Sequence, residues 1–98
     1  MLERNYQAHL IAKLKKMMSG CVVLKNDTTY LQGMPDLLIL YRDRWAALEV
    51  KASATAHHQP NQDYYVDMLD HMSYAAFIFP ENEEEVLSEV QRALQSDR

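Results

Sequence analysis

Asp36, Glu49 and Lys51 have the types and spacing to do chemistry together. Apolar runs Leu37–Tyr41 and Trp45–Val50 flank the polar break Arg42-Asp43-Arg44, a pattern that predicts a β-hairpin closed by about three loop residues. Asp36 opens the first strand, and Glu49 and Lys51 sit two apart near the end of the second. Side chains alternate along a strand, so Glu49 and Lys51 share a face. Strands of similar length bring Asp36 across from them. Two carboxylates about 4 Å apart repel by roughly 4 kcal/mol at an effective dielectric near 20. A hard divalent cation reverses the sign, and Mg²⁺ takes one or two carboxylates together with water and phosphate oxygens. A lysine beside such a cation can hold or deprotonate a water. Acid, acid and lysine around a metal suit hydrolysis of a phosphodiester.

The elements that must position these groups can be read from the flanking sequence. Residues 2–18 predict a helix, with Tyr6, Leu10, Leu14 and Met17 on one stripe. Glu3 falls on that stripe; it is either paired or ligating there, or a first-turn carboxylate favoured by the helix dipole. Ser19-Gly20 ends the helix. Cys21–Leu24 reads as a strand and Lys25–Gln32 as a loop. Gly33 permits a bend before Pro35, which lacks an N–H and suits the first position of a strand. Trp45 reads as core or as a cover for the hairpin end, with a base-stacking platform as the alternative. After Lys51, residues 52–59 form a polar loop. Pro60 begins a helix over 60–72, in which Gln62 shares a stripe with Tyr65, Val66 and Leu69. Tyr74–Phe79 reads as a strand covered on both faces, stopped by Pro80. Asn82 with Glu85 resembles a capping box that opens a last helix on Val86, Val90 and Leu94. The expected fold class is α/β, an αβββαβα core with a mixed central sheet flanked by helices.

Pro35-Asp36 followed by Glu49-x-Lys51 resembles the PD-(D/E)xK nuclease superfamily. The Gly33-x-Pro35-Asp36 form, with a glutamine on the next helix, is similar to its VRR-NUC branch, which includes small stand-alone versions encoded by phages. The resemblance spans about residues 3 to 79 and implies a restriction-endonuclease-like core. It further implies that Asp36 and Glu49 bind Mg²⁺, which Mn²⁺ can replace, together with the Val50 carbonyl. Glu3 is implied as an extra metal-site group. Lys51 would activate water, and Gln62 would support the lysine and the water, with Gln59 as the competitor for that role. Branched DNA such as a four-way junction is the implied substrate. Two symmetric cuts suit a homodimer. The alternatives are a flap, nick or single-strand nuclease, or a non-catalytic DNA-binding subunit.

The 98 residues fit one domain, residues 1–98, with a modest core. The single cysteine, Cys21, excludes an intrachain disulfide, and the polar start of the chain predicts no signal peptide. With no apolar run of membrane length either, a cytoplasmic protein without membrane partners is expected (host cytoplasm if phage-encoded). Net charge is −4, but residues 1–51 carry eight basic against five acidic side chains. That polarity leaves room for phosphate contact. Lys13 and Lys16 on the first helix, Lys25, and the pair His57 and His58 are the candidate DNA contacts. Each is otherwise ordinary surface, and the adjacent histidines are weak evidence for zinc.

Overall fold

Alternating and helical apolar periods resolve into three helices around one sheet in the computed structural model, which describes residues 2–27 and 29–96. The stripe from Tyr6 through Leu10 to Leu14 becomes the buried side of α1 (Glu3–Met17). Gly20, at φ 91°, turns the chain after it. Strand β1 (Val22–Lys25) leads into β2 (Leu37–Tyr41) and β3 (Arg44–Val50). Helix α2 (Pro60–Met72) then crosses to β4 (Tyr74–Ile78), and a short 3₁₀ turn, Pro80–Asn82, leads to α3 (Glu83–Gln95).

The sheet runs β1-β2-β3-β4. The first three strands form an antiparallel meander, and β4 lies parallel to β3. Two antiparallel strands need only a turn, whereas a parallel pair needs a crossover, which α2 supplies. The expected mixed α/β architecture is therefore present, in the expected element order.

Period-2 alternation divides the sheet residues between two layers. Leu37, Ile39, Leu48, Val50 and Ile78 point to one side and bury against α1 and α3. Burying each such side chain fully contributes roughly 1.5–3 kcal/mol. Ala47 and Ala75 point to the other side, where Val66 and Leu69 of α2 cover them. Trp45 packs partly buried against this second cluster, as a cover for the hairpin end. Glu49, between Leu48 and Val50, must also face α2. Helix α2 lies mainly over β3 and β4, and Val22 and Leu24 on β1 remain half exposed.

Three local expectations are corrected. The hairpin turn has two residues, not three: Arg44 already pairs with Tyr41, and Arg42 takes φ 57° to make the tighter turn. The Arg44 guanidinium donates to the carbonyls of Ala93 (3.1 Å) and Ser96 (2.7 Å), capping α3 from across the fold. The capping box at Asn82 does not form. Its side-chain oxygen accepts from the Phe79 N–H (2.9 Å) and its amide donates to the Phe77 carbonyl (3.1 Å), so it serves the turn before the helix. The first strand begins at Val22, one residue later than read. Among the described residues no helix is long and apolar enough to cross a membrane.

Candidate active site

Leu37 pairs with Leu48, so the next position outward sets Asp36 opposite Glu49. Directly paired residues on antiparallel strands project to the same face. Both carboxylates therefore sit at the open end of the hairpin, on the α2 side. Asp36 is anchored there: its Oδ2 accepts the Val50 N–H at 2.9 Å. The N–H and carbonyl of one strand residue point to the same side, so the Val50 carbonyl also faces the Asp36 strand. The segment before Asp36 is fixed too. The Asn26 amide donates to the Pro35 carbonyl, and the Asn26 N–H donates to the Asp36 carbonyl at 2.9 Å. Gly33, at φ 92°, lies so close to α2 that an added Cβ would collide with the Asn61 Cβ and come 2.8 Å from its backbone carbon.

Glu49 is almost wholly buried, with its side chain 3% exposed. Its Oε2 accepts from Gln62 Nε2 at 3.1 Å and lies 3.9 Å from Lys51 Nζ. Its Oε1 is buried with no hydrogen-bond partner. Burial, first of all, pushes the Glu49 carboxyl up to about 8; the Asp36 charge, a hydrogen bond with Asp36 and the more distant Glu3 add to this, and Lys51 opposes it. The bare oxygen and the hydrogen bond belong to different protonation states. Ionised, Glu49 has nothing to give Asp36; protonated, it can donate to it.

Lys51 is held from three sides. Its Nζ donates to Gln62 Oε1 at 2.7 Å and to the His57 carbonyl at 3.0 Å, besides facing Glu49. Gln62 Oε1 also accepts the Gln59 N–H at 3.0 Å, across the first turn of α2. Two donors on one side and a carboxylate on the other fix which end of the amide is oxygen. Of the two glutamines, Gln62 therefore makes the side-chain contacts to Glu49 and Lys51, while Gln59 supplies a backbone N–H.

Glu3 is exposed at the start of α1, not buried on its stripe. Burial and the Asp36 charge raise its pKa and the Lys51 charge lowers it, so it stands at the rim of the same group. Among the described residues no three Asp, Glu, His or Cys side chains form a ready-made metal cluster. Asp36 and Glu49 are thus a two-carboxylate arrangement, which suits a cation that completes its shell with water, backbone and phosphate oxygens.

The expected DNA contacts divide. Lys13 is engaged: its Nζ donates to Glu83 at 2.6 Å. Lys16 and Lys25 are exposed. His58 stacks on Phe77, with ring centroids 4.0 Å apart, and its Nδ1 lies 3.0 Å from Asp63. The His57 ring is exposed while its carbonyl holds Lys51. That carbonyl carries no sequence signal, because any residue offers one. Asp36, Glu49 and Gln62 open into a cleft of about 480 Å³ walled by Gly33, Met34 and Asn61. Comparison with known proteins gives no match to a family model, a curated protein or a solved structure.

Proposed function

We propose that this protein is a metal-dependent endonuclease that hydrolyses DNA phosphodiesters, with branched DNA as its substrate. The observation that carries the reading is the buried Glu49 carboxyl beside Asp36, whose Oε1 has no hydrogen-bond partner once the group is ionised. Leaving a buried polar atom unsatisfied costs about 1–3 kcal/mol, more for a charged group. A cation offsets that cost by giving the oxygen a partner. Asp36, Glu49 and the Val50 carbonyl would hold Mg²⁺ or Mn²⁺, with Glu3 acting at the rim through water. Bound there, the ion supplies Lewis-acid polarisation of a phosphoryl oxygen and charge neutralisation in the transition state.

The chain's own residues do the rest. Lys51, tethered by Gln62 and the His57 carbonyl, would orient the attacking water and stabilise with its positive charge the negative charge that develops as that water loses its proton to solvent. Gln62 sets the distance between that ammonium and Glu49 by bonding both. Asp36, Glu49, Lys51 and Gln62 resemble the PD-(D/E)xK pattern in the sequence, and that resemblance supports a VRR-NUC-type reading of the chain. Paired cuts on a four-way junction call for a two-fold dimer.

The test is cleavage of linear duplex and four-way-junction DNA with and without Mg²⁺, by wild type and Lys51→Met. Mg²⁺-dependent cuts by wild type, and a loss of about 10²-fold or more in the variant, are expected for a lost group that orients the nucleophile and stabilises developing charge. Equal activity in both proteins removes the catalytic role of Lys51.

A further inference from the structure

We propose that the cleft beside Asp36 and Glu49 is a pocket for one unstacked nucleoside, the base and sugar adjoining the phosphate that is cut. This rests on the phosphodiesterase reading and adds to it the feature of DNA that is selected: an unpaired nucleotide at the cleavage site.

Size is the first argument. At about 480 Å³ the cleft falls within the range of roughly 300–1,000 Å³ typical of small-ligand pockets. Charge is the second. Among the described residues no lysine or arginine lines it, and the charged residues that do are Asp36 and Glu49. A phosphate is therefore tolerated only where a cation screens those carboxylates. The first turn of α2 offers little to a second anion, since Pro60 has no N–H and the Gln62 N–H is committed to the Gln59 carbonyl at 3.0 Å. The space beyond the pair is left for the uncharged part of a nucleotide.

The wall chemistry agrees. Gln32 and Asn61 are exposed carboxamides that both line the cleft, one from the loop before β2 and one from α2. A carboxamide presents a donor and an acceptor side by side, which matches the edge of a base. Met34 adds an apolar, polarisable surface for the face of a base. The wall is also fixed in place, because Gly33 abuts Asn61 with no room for a side chain between them. A base stacked in a duplex cannot enter such a pocket without leaving its neighbours, at a cost of a few kcal/mol that is smallest for a mismatched or unpaired nucleotide. Selection of DNA whose nucleotides unstack readily, at a bulge, a mismatch or a branch point, then follows from the shape of the pocket, without a separate recognition domain.

The experiment compares three end-labelled duplexes of one sequence in Mg²⁺: fully paired, with one mismatch, and with one single-nucleotide bulge. Cuts are mapped to the nucleotide. The bulged duplex is expected to be cut roughly tenfold or more faster in kcat/KM than the paired one, given the unstacking cost it avoids, and at the phosphodiester next to the bulge. Gln32→Leu and Asn61→Leu are expected to raise KM on the bulged duplex and to erase its advantage. Equal rates on paired and bulged DNA, or cuts remote from the bulge, overturn the pocket and leave the nuclease reading standing. A second measurement needs no catalysis: titration of ¹⁵N-labelled protein with deoxyadenosine monophosphate in Ca²⁺. Shifts at the Gln32 and Asn61 side-chain amides support the pocket, and their absence overturns it. If no DNA is cut at all, the nuclease reading fails and this titration still decides the pocket.

Discussion

Replacing Glu49 by glutamine is expected to make the metal-free protein more stable, and increasingly so as pH rises. Glu49 holds its proton more tightly in the folded chain, at about 8, than its ordinary value of 4.5. A carboxyl raised in this way contributes fully to stability below the unfolded value. That contribution is lost as pH climbs from 4.5 through 8, because the unfolded chain ionises freely while the folded one resists. A shift of that size corresponds to about 5 kcal/mol across the whole window, and to about 3 kcal/mol by pH 7. Small domains have only some 5–15 kcal/mol in total, so a change of this order is readily measured. Glutamine has the same shape, can still accept from Gln62 through its carbonyl oxygen, and does not titrate.

Urea unfolding at pH 5, 7 and 9 in EDTA measures the difference directly. Every other titrating group is common to both proteins, so the gap between their stabilities reports Glu49 together with its coupling to Asp36. It should be smallest at pH 5 and widen toward pH 9 in favour of Glu49→Gln. Adding Mg²⁺ should narrow the gap, since a ligand at a hundred times its Kd stabilises by about 2.7 kcal/mol and only the wild type keeps both carboxylates. Stability curves that stay parallel from pH 5 to pH 9 would refute the burial argument and with it the cation's reason to bind.

Mg²⁺ binding near pH 7 should release close to one proton per chain, because the cation must displace the proton held by Glu49; calorimetry in two buffers of different ionisation enthalpy reads the number. Gly33→Ala should lower stability by at least about 1–2 kcal/mol from its left-handed backbone alone, with more from the collision against Asn61, and a thermal melt will show whether it does. Gln62→Leu should cost about 1–3 kcal/mol by leaving Glu49 Oε2 and Lys51 short of a partner, whereas Gln59→Leu should cost less, since the bond Gln59 gives Gln62 comes from its backbone.

The hairpin was legible because two short apolar runs around a polar break leave few ways to pair, and the period of two then dictates which residues share a face. That reasoning reached Asp36 opposite Glu49, and the Pro60 start of α2 placed Gln62 within reach. What it missed lies in contacts between residues far apart in the chain. Lys13 looks like a free cation on a helix face, yet Glu83 claims it from seventy positions away. Arg44 looks like loop, yet its backbone pairs with Tyr41 to begin β3 and its side chain caps α3. Glu3 matched a buried stripe by period, but a stripe is buried only where something covers it, and the first turn of α1 lies beyond the sheet's cover.

The same distinction explains why Gln62 outweighs its place in the sequence. A glutamine three residues into a helix ordinarily closes the first turn, and Gln62 does so by accepting the Gln59 N–H. Here the same oxygen also receives Lys51, and the other end of the amide reaches Glu49. One side chain thereby ties the start of α2 to the end of β3. The order of the helix terminus and the spacing of the two charged groups are one structural fact. Loosening the first turn of α2 should accordingly disturb the acid and the lysine together, even when neither residue is changed.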